Sequence, residues 1–197
     1  MKDIESLVRQ LTFVKEIDKL KKITRQAELI DGSRKENTAE HSWHCALMAF
    51  ILESYAREKV DILKVTKMLL VHDIVEIDAG DTCCYDMKNN KSKEQREEKA
   101  ANRIFSLLPE KQRQELYSLW TEFEEKQTPE SQFANTMDRL QPLIQNFESG
   151  GRFWREWNVT KEMALKRSEP IKNWCPKLWP CAENIIEQAI KNGWIKK

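Results

Sequence analysis

Glycine and histidine are scarce in this chain of 197 residues, with five of the first and three of the second. Strand-like alternation of apolar and polar residues is absent, which with so few turn glycines argues against a sandwich or barrel. No apolar run approaches the ~20 residues that a membrane-spanning helix needs. The amino end, MKDIESLVRQLTFVKEIDKLKK, is too charged for a secretory leader. No sign of charge dominates: 33 basic and 32 acidic side chains leave a net +1. Such a balance gives no field to draw DNA, RNA or an anionic membrane. The five cysteines are odd in number and form no CxxC pair, so they read as reduced thiols of a cytoplasmic protein. Neither an internal repeat nor a low-complexity linker interrupts the chain, and its length suits one domain.

What the chain does have is helical periodicity along nearly its whole length, so the expected fold class is all-α. Residues 3–22 set Ile4, Leu7, Val8, Leu11, Val14, Ile17 and Leu20 on one stripe of an amphipathic helix. Residues 24–35 are less regular, with Asp31-Gly32 marking a turn. Asn37, with Glu40 three residues on, forms a capping box. It opens a helix carrying His41, His44, Leu47, Met48, Ile51 and Tyr55 at spacings of three and four. Asp61 caps the next helix, expected to run unbroken to Gly80, which closes it in a left-handed conformation. A loop over 81–93 and charged helices over 92–108 and 110–126 follow. Pro129 opens a helix with Phe133, Met137, Leu140, Ile144 and Phe147 on its apolar face, ended by Gly150-Gly151. One domain is expected over 1–197. Its core spans about 3–149, and a Trp-rich helical extension with two short helices fills 150–197.

All three histidines fall within residues 36–81, in ENTAEHSWH (His41 and His44) and LLVHDIVEIDAGD (His72). Imidazole nitrogen beside carboxylate oxygen suits a borderline divalent ion such as Zn, Mn, Fe, Co or Ni. His41 and His44 share a helix face, although a histidine near an apolar face is more often a satisfied core residue. The pair His72-Asp73 differs in kind. It follows Met68-Leu69-Leu70-Val71, where an unpaired charge is costly and needs a cation or a donor. Neighbouring helix positions point about 100° apart, so both reach one ion only if it sits in a crevice between helices. Glu76 lies on the same side as this pair. It either works on a metal-bound water or a leaving group, or it is a solvent-facing carboxylate. Asp78 reads as solvent-facing, Asp81 as a pocket-mouth or turn residue, and Cys83 and Cys84 as loop thiols. Periodicity alone puts Asp138 on the surface. Arg25 and Arg34 are the cationic candidates for a phosphate.

The order His, His-Asp and a distant Asp resembles the HD-domain metal-dependent phosphohydrolases. The fuller string, R-x-EN-x-AEHS followed by HD-x-x-E-x-x-x-GD, is similar to their 5'-deoxynucleotidase-like branch over residues 10–147. The resemblance implies an all-α HD bundle in which His41, His72, Asp73 and Asp138 ligate one divalent ion (Co, Mn, Mg, Ni, Zn or Fe) between helices. It implies that Glu76 acts at the catalytic water or leaving group, that Asp81 contacts the sugar, and that Arg25 holds the 5'-phosphate. His44 then stands behind the ligands or faces the phosphate, and Arg34 is a second substrate-binding candidate. Gln26 departs from the branch, which carries an aromatic residue there, and the segment from Arg25 to Arg34 is one residue longer. The implied reaction is hydrolysis of a (deoxy)nucleoside 5'-monophosphate by a homodimer. Three other readings stand beside it: another phosphate substrate (a nucleoside triphosphate, an alarmone or a cyclic dinucleotide), a metal or nucleotide sensor without catalysis, and a helical scaffold with core histidines.

Overall fold

A computed structural model describes residues 2–197 of the chain. Helix α1 spans Lys2–Ile17 and tightens into a 3₁₀ turn over Asp18–Lys22. Its apolar stripe has the expected period but faces outward: Ile4, Leu7, Val8, Leu11 and Val14 are all at least half exposed. The helix is held instead by buried Phe13 and Leu20 and by Arg9, whose guanidinium donates to the carbonyl oxygens of Ser106 (2.7 Å) and Leu107 (3.3 Å).

The irregular stretch is an antiparallel hairpin of β1, Thr24–Glu28, and β2, Lys35–Asn37. These strands of five and three residues are too short to announce themselves by alternation. The hairpin brings Arg25 and Glu36 to one side.

Helix α2, Thr38–Leu52, begins at the expected capping box. The Asn37 side chain accepts from the Glu40 N–H at 3.0 Å, and the Glu40 carboxylate accepts from the Asn37 N–H at 3.1 Å. Its inward face differs from the expected one. His41, Ser42, Cys45, Ala46 and Ala49 are buried, whereas Leu47, Ile51 and Tyr55 are exposed along with Trp43 and Phe50. Small side chains on this face let α2 pack close to α3, Ile62–Val71, and α8, Pro129–Glu148.

The expected long helix over 61–79 is two pieces. Asp61 caps α3, accepting from the N–H groups of Leu63 and Lys64. The helix stops at His72, and after a turn over 72–75 the chain resumes as the single turn α4, Glu76–Ala79, which Gly80 ends at φ 73°. A short α5, Met87–Asn90, interrupts the expected loop, and α6, Lys93–Phe105, and α7, Glu110–Glu125, follow.

The tail holds three helices rather than two: α9, Arg152–Glu156, α10, Lys161–Trp174, and α11, Trp179–Lys191. Gly151 makes the turn into them at φ 69°, where a Cβ would stand 2.6 Å from the Trp194 ring. Val159, Ala164, Ile171, Ile186 and Ile195 join the same buried cluster as Phe133 and Met137 of α8, so the tail shares the core of the preceding helices. A second cluster gathers Phe13, Val71, Val75, Ile104 and Phe105. No described helix is long and apolar enough to cross a membrane.

Candidate metal centre

His41 enters the centre from α2, His72 and Asp73 from the end of α3, and Asp138 from the middle of α8. His41 Nε2 lies 3.0 Å from Asp138 Oδ1 and 3.8 Å from Asp73 Oδ2. His72 Nε2 lies 3.1 Å from Asp73 Oδ2 and 3.8 Å from Asp138 Oδ1. The Nε2, Nε2 and carboxylate atoms of His41, His72 and Asp73 are mutually close enough to hold one ion. Asp138 is buried, not on the surface as its position in the helical pattern suggested.

The other imidazole nitrogen of each ring fixes what Nε2 presents. His72 Nδ1 donates to the Leu69 carbonyl oxygen at 2.8 Å, and His41 Nδ1 donates to Gln141 Oε1 at 3.0 Å. Each Nδ1 therefore carries a hydrogen, and each Nε2 faces carboxylate oxygens, where a proton or a metal ion would sit. His72 Nε2 is buried with no hydrogen-bond partner. Lone pairs facing lone pairs in a dry site are repulsive unless a cation sits among them, and the donor set of two imidazoles and two carboxylates fits a divalent ion.

The electrostatics agree. Burial and the Arg25 charge push the pKa of His41 down, so it is neutral, as a ligand must be. Burial opposes charge on His72, but Asp73 and Asp138 outweigh it and hold its pKa up at about 10: the two carboxylates demand a positive charge at that point. Burial works to raise Asp138, yet Arg139, His41 and His72 hold it well below the usual carboxylate range.

Glu76 is buried, at 3% exposure, which removes the solvent-facing alternative. The Thr38 hydroxyl donates to its Oε2 at 2.8 Å. Burial first, and the neighbouring Asp73 charge second, raise its pKa well above the ordinary value. Arg25 donates to Asp73 Oδ2 at 2.9 Å and has Asp81 and Glu36 each at 3.9 Å. Arg25, Glu76 and Asp81 all line the cleft that opens onto His72, Asp73 and Asp138.

One candidate falls elsewhere. Arg34 is half exposed and forms a bidentate pair with Glu40, at 2.6 and 2.8 Å, so it clasps the start of α2 rather than lining the cleft. His44 meets Gln141 Nε2 at 3.2 Å, the side chain that also contacts His41 Nδ1, and it does not line the cleft. Asp78 is solvent-facing as expected and pairs with Arg103.

Sequence reasoning assigned nothing to Gln141, yet it links the site to buried Glu36: Gln141 Nε2 donates to Glu36 Oε1 at 2.9 Å. The available signal was a glutamine three positions after Asp138 on the same helix.

Comparison with known proteins identifies the family. A family model described as HD domain matches residues 17–179. The chain belongs to the HD-domain family. The HD match covers the hairpin and all helices from α2 to α10, well past residue 147. A solved structure described as a predicted metal-dependent phosphohydrolase, from Magnetospirillum magnetotacticum MS-1, is 47% identical with a TM-score of 0.94, over 98% of this HD chain and 97% of that one. The 5'-deoxynucleotidase HDDC2 of Homo sapiens is 30% identical over 139 residues, 70% of this chain and 67% of its own length. The 5'-deoxynucleotidase hdd1 of Schizosaccharomyces pombe is 24% identical over 184 residues, 91% of this chain and 83% of its own.

Proposed function

We propose that the chain is a metal-dependent phosphomonoesterase that hydrolyses (deoxy)nucleoside 5'-monophosphates to nucleoside and phosphate. His41, His72, Asp73 and Asp138 hold one divalent ion in this reading. The observation that carries it is the pair of imidazole Nε2 atoms set against two carboxylates, beside a buried Glu76 in an open cleft. The 5'-deoxynucleotidase relatives supply the substrate class.

A bound ion lowers the pKa of a coordinated water and neutralises charge on the phosphoryl group. The protein's own groups do the rest. Gln141 and the Leu69 carbonyl keep both rings in the tautomer that leaves Nε2 free. Glu76 is kept protonated by burial and Asp73, and so has a proton to give to the departing ribose oxygen. Arg25 stands between Asp73 and Asp81 at the cleft wall, where its guanidinium reaches toward phosphate oxygens. Asp81 lies at the cleft where the sugar would enter. The outward apolar faces of α1 and α2 support a homodimer, and five free thiols support a cytoplasmic setting.

The test is a phosphate-release screen of nucleoside mono- and triphosphates with Mn, Co, Mg, Ni and Zn in turn. Release from 5'-monophosphates with at least one ion is expected, and Asp138→Ala loses both the ion and the release. No release from any monophosphate, or release from triphosphates alone, overturns the substrate class.

A further inference from the structure

Basic side chains gather around the candidate centre. Five line the cleft together with five carboxylates. Asp73 and Asp138 are the two carboxylates that an ion would engage. Of the five cations, Arg25 has Asp73, Asp81 and Glu36 beside it, and Lys93 has Glu97. Two of the five, Arg139 on α8 and Arg167 on α10, also line a second cleft, roofed by Phe153 and Trp154 of the tail. The two clefts therefore meet along a wall that both guanidiniums share.

Arg139 is largely buried, at 15% exposure, and its one carboxylate partner is Asp138. Once Asp138 engages an ion, that pairing is divided between two cations. Arg167 is half-buried, and among the described residues no carboxylate pairs with it. The two arginines line both clefts together. Their fields also converge on Cys84 of the same wall. Its thiol is brought down to about 6 by the Cys83 hydrogen bond first, with both arginines assisting against burial. Two partly desolvated guanidiniums on one shared wall, one without a carboxylate partner and the other sharing its own with the ion, are an arrangement that a phosphate satisfies bidentately.

We propose that Arg139 and Arg167 form an anion-binding pair, one member supplied by the tail helix α10, that grips the substrate phosphate at the junction of the two clefts. This rests on the phosphomonoesterase reading and adds to it a specificity element carried outside the residues of the HD motif. Gln26 lines the second cleft as well, so the nucleoside would extend from the phosphate toward Gln26 and Phe153.

Arg167 is the member to test, because Arg139 adjoins a proposed ligand. The probe is inorganic phosphate, titrated by calorimetry into protein loaded with the ion that supports turnover, or with Mn if none does. Arg167→Gln weakens phosphate binding at least tenfold, and Arg167→Lys, which keeps the charge but not the fork, recovers part of it. Metal content by elemental analysis and the melting temperature stay at wild-type values in both variants. With 5'-monophosphate substrate, KM rises more than kcat falls. Unchanged phosphate affinity in Arg167→Gln, or no phosphate binding by the wild type, overturns the pair. If no monophosphate is hydrolysed while Arg167→Gln still loses phosphate binding, the reaction assignment fails and the anion site stands.

Discussion

Gln141→Leu separates a positioning role from mere packing. Gln141 is 1% exposed, and its amide spans two groups that have little else. Its oxygen accepts from His41 Nδ1 at 3.0 Å and its nitrogen donates to Glu36 Oε1 at 2.9 Å. Glu36 Oε2 already lacks a hydrogen-bond partner. Leucine matches the volume, so little cavity forms, but a buried imidazole N–H and a buried carboxyl oxygen lose their partners. At ~1–3 kcal/mol for each orphaned group, the fold loses roughly 2–4 kcal/mol, since Glu36 is free to take up a proton. The metal effect has a different cause. Without an acceptor at Nδ1, His41 no longer favours the tautomer with Nε2 bare, and loss of such a partner typically costs 10–100-fold in metal affinity. Competition against a chromophoric chelator measures that affinity directly. Gln145→Leu is the control, because Gln145 accepts from Gln141 without touching His41; it lowers stability while leaving metal affinity within about threefold. Wild-type metal affinity in folded Gln141→Leu would refute the reasoning.

Two further outcomes follow from the buried carboxyl groups. Glu76→Gln keeps the four ligands and their ion but removes the ionisable proton, so turnover falls by roughly 10²–10⁴-fold with metal stoichiometry unchanged; retention of more than a tenth of wild-type kcat would remove Glu76 from proton transfer. Glu97 is a test of stability rather than chemistry: burial, against the pull of Lys93, raises its pKa to about 7 from 4.5. The folded state then holds more protons than the unfolded one between these values, so its contribution is full below about pH 4.5 and is lost as pH rises through 7. Glu97→Gln mimics the neutral acid, and denaturant titrations should find it equal to wild type near pH 4.5 and more stable at pH 8, by at most about 3 kcal/mol. Equal stability at both pH values would contradict the raised pKa.

How much of this was legible depended on whether a feature is local. The capping box at Asn37 and Glu40, the Asp61 cap and the Pro129 start are set by side chains within three residues of the backbone they satisfy, and the structure has each of them. Which face of a helix is covered is not local. The stripe on α1 and the large residues of α2 have the right period for burial, but no described element lies over them in one chain, while Cys45, Ala46 and Ala49 are buried because small groups allow close helix contact. Arg34 shows the same limit from the other side. Its charge made it a phosphate candidate, yet Glu40, six residues away, claims both arms of its guanidinium. Asp138 needed a family resemblance, because periodicity cannot distinguish a carboxylate facing water from one facing two imidazoles.

The break at His72 explains why two adjacent residues serve one point. On a continuous helix their side chains diverge by about 100°, the difficulty that the sequence raised for a shared ion. The helix ends at His72 instead, and its last carbonyl groups lack intrahelical partners. The Leu69 carbonyl oxygen takes the His72 Nδ1 hydrogen, so the helix end that releases Asp73 into the turn also sets the tautomer of the ring before it. Asp73 Oδ2 then comes within 3.1 Å of His72 Nε2 and 3.8 Å of His41 Nε2. The turn carries Glu76 on to the start of α4, buried beside Asp73 and Thr38. The termination of α3 is thus part of the site: it converts the spacing of the HD-x-x-E string, which on one straight helix would spread over its surface, into groups that converge on one cleft.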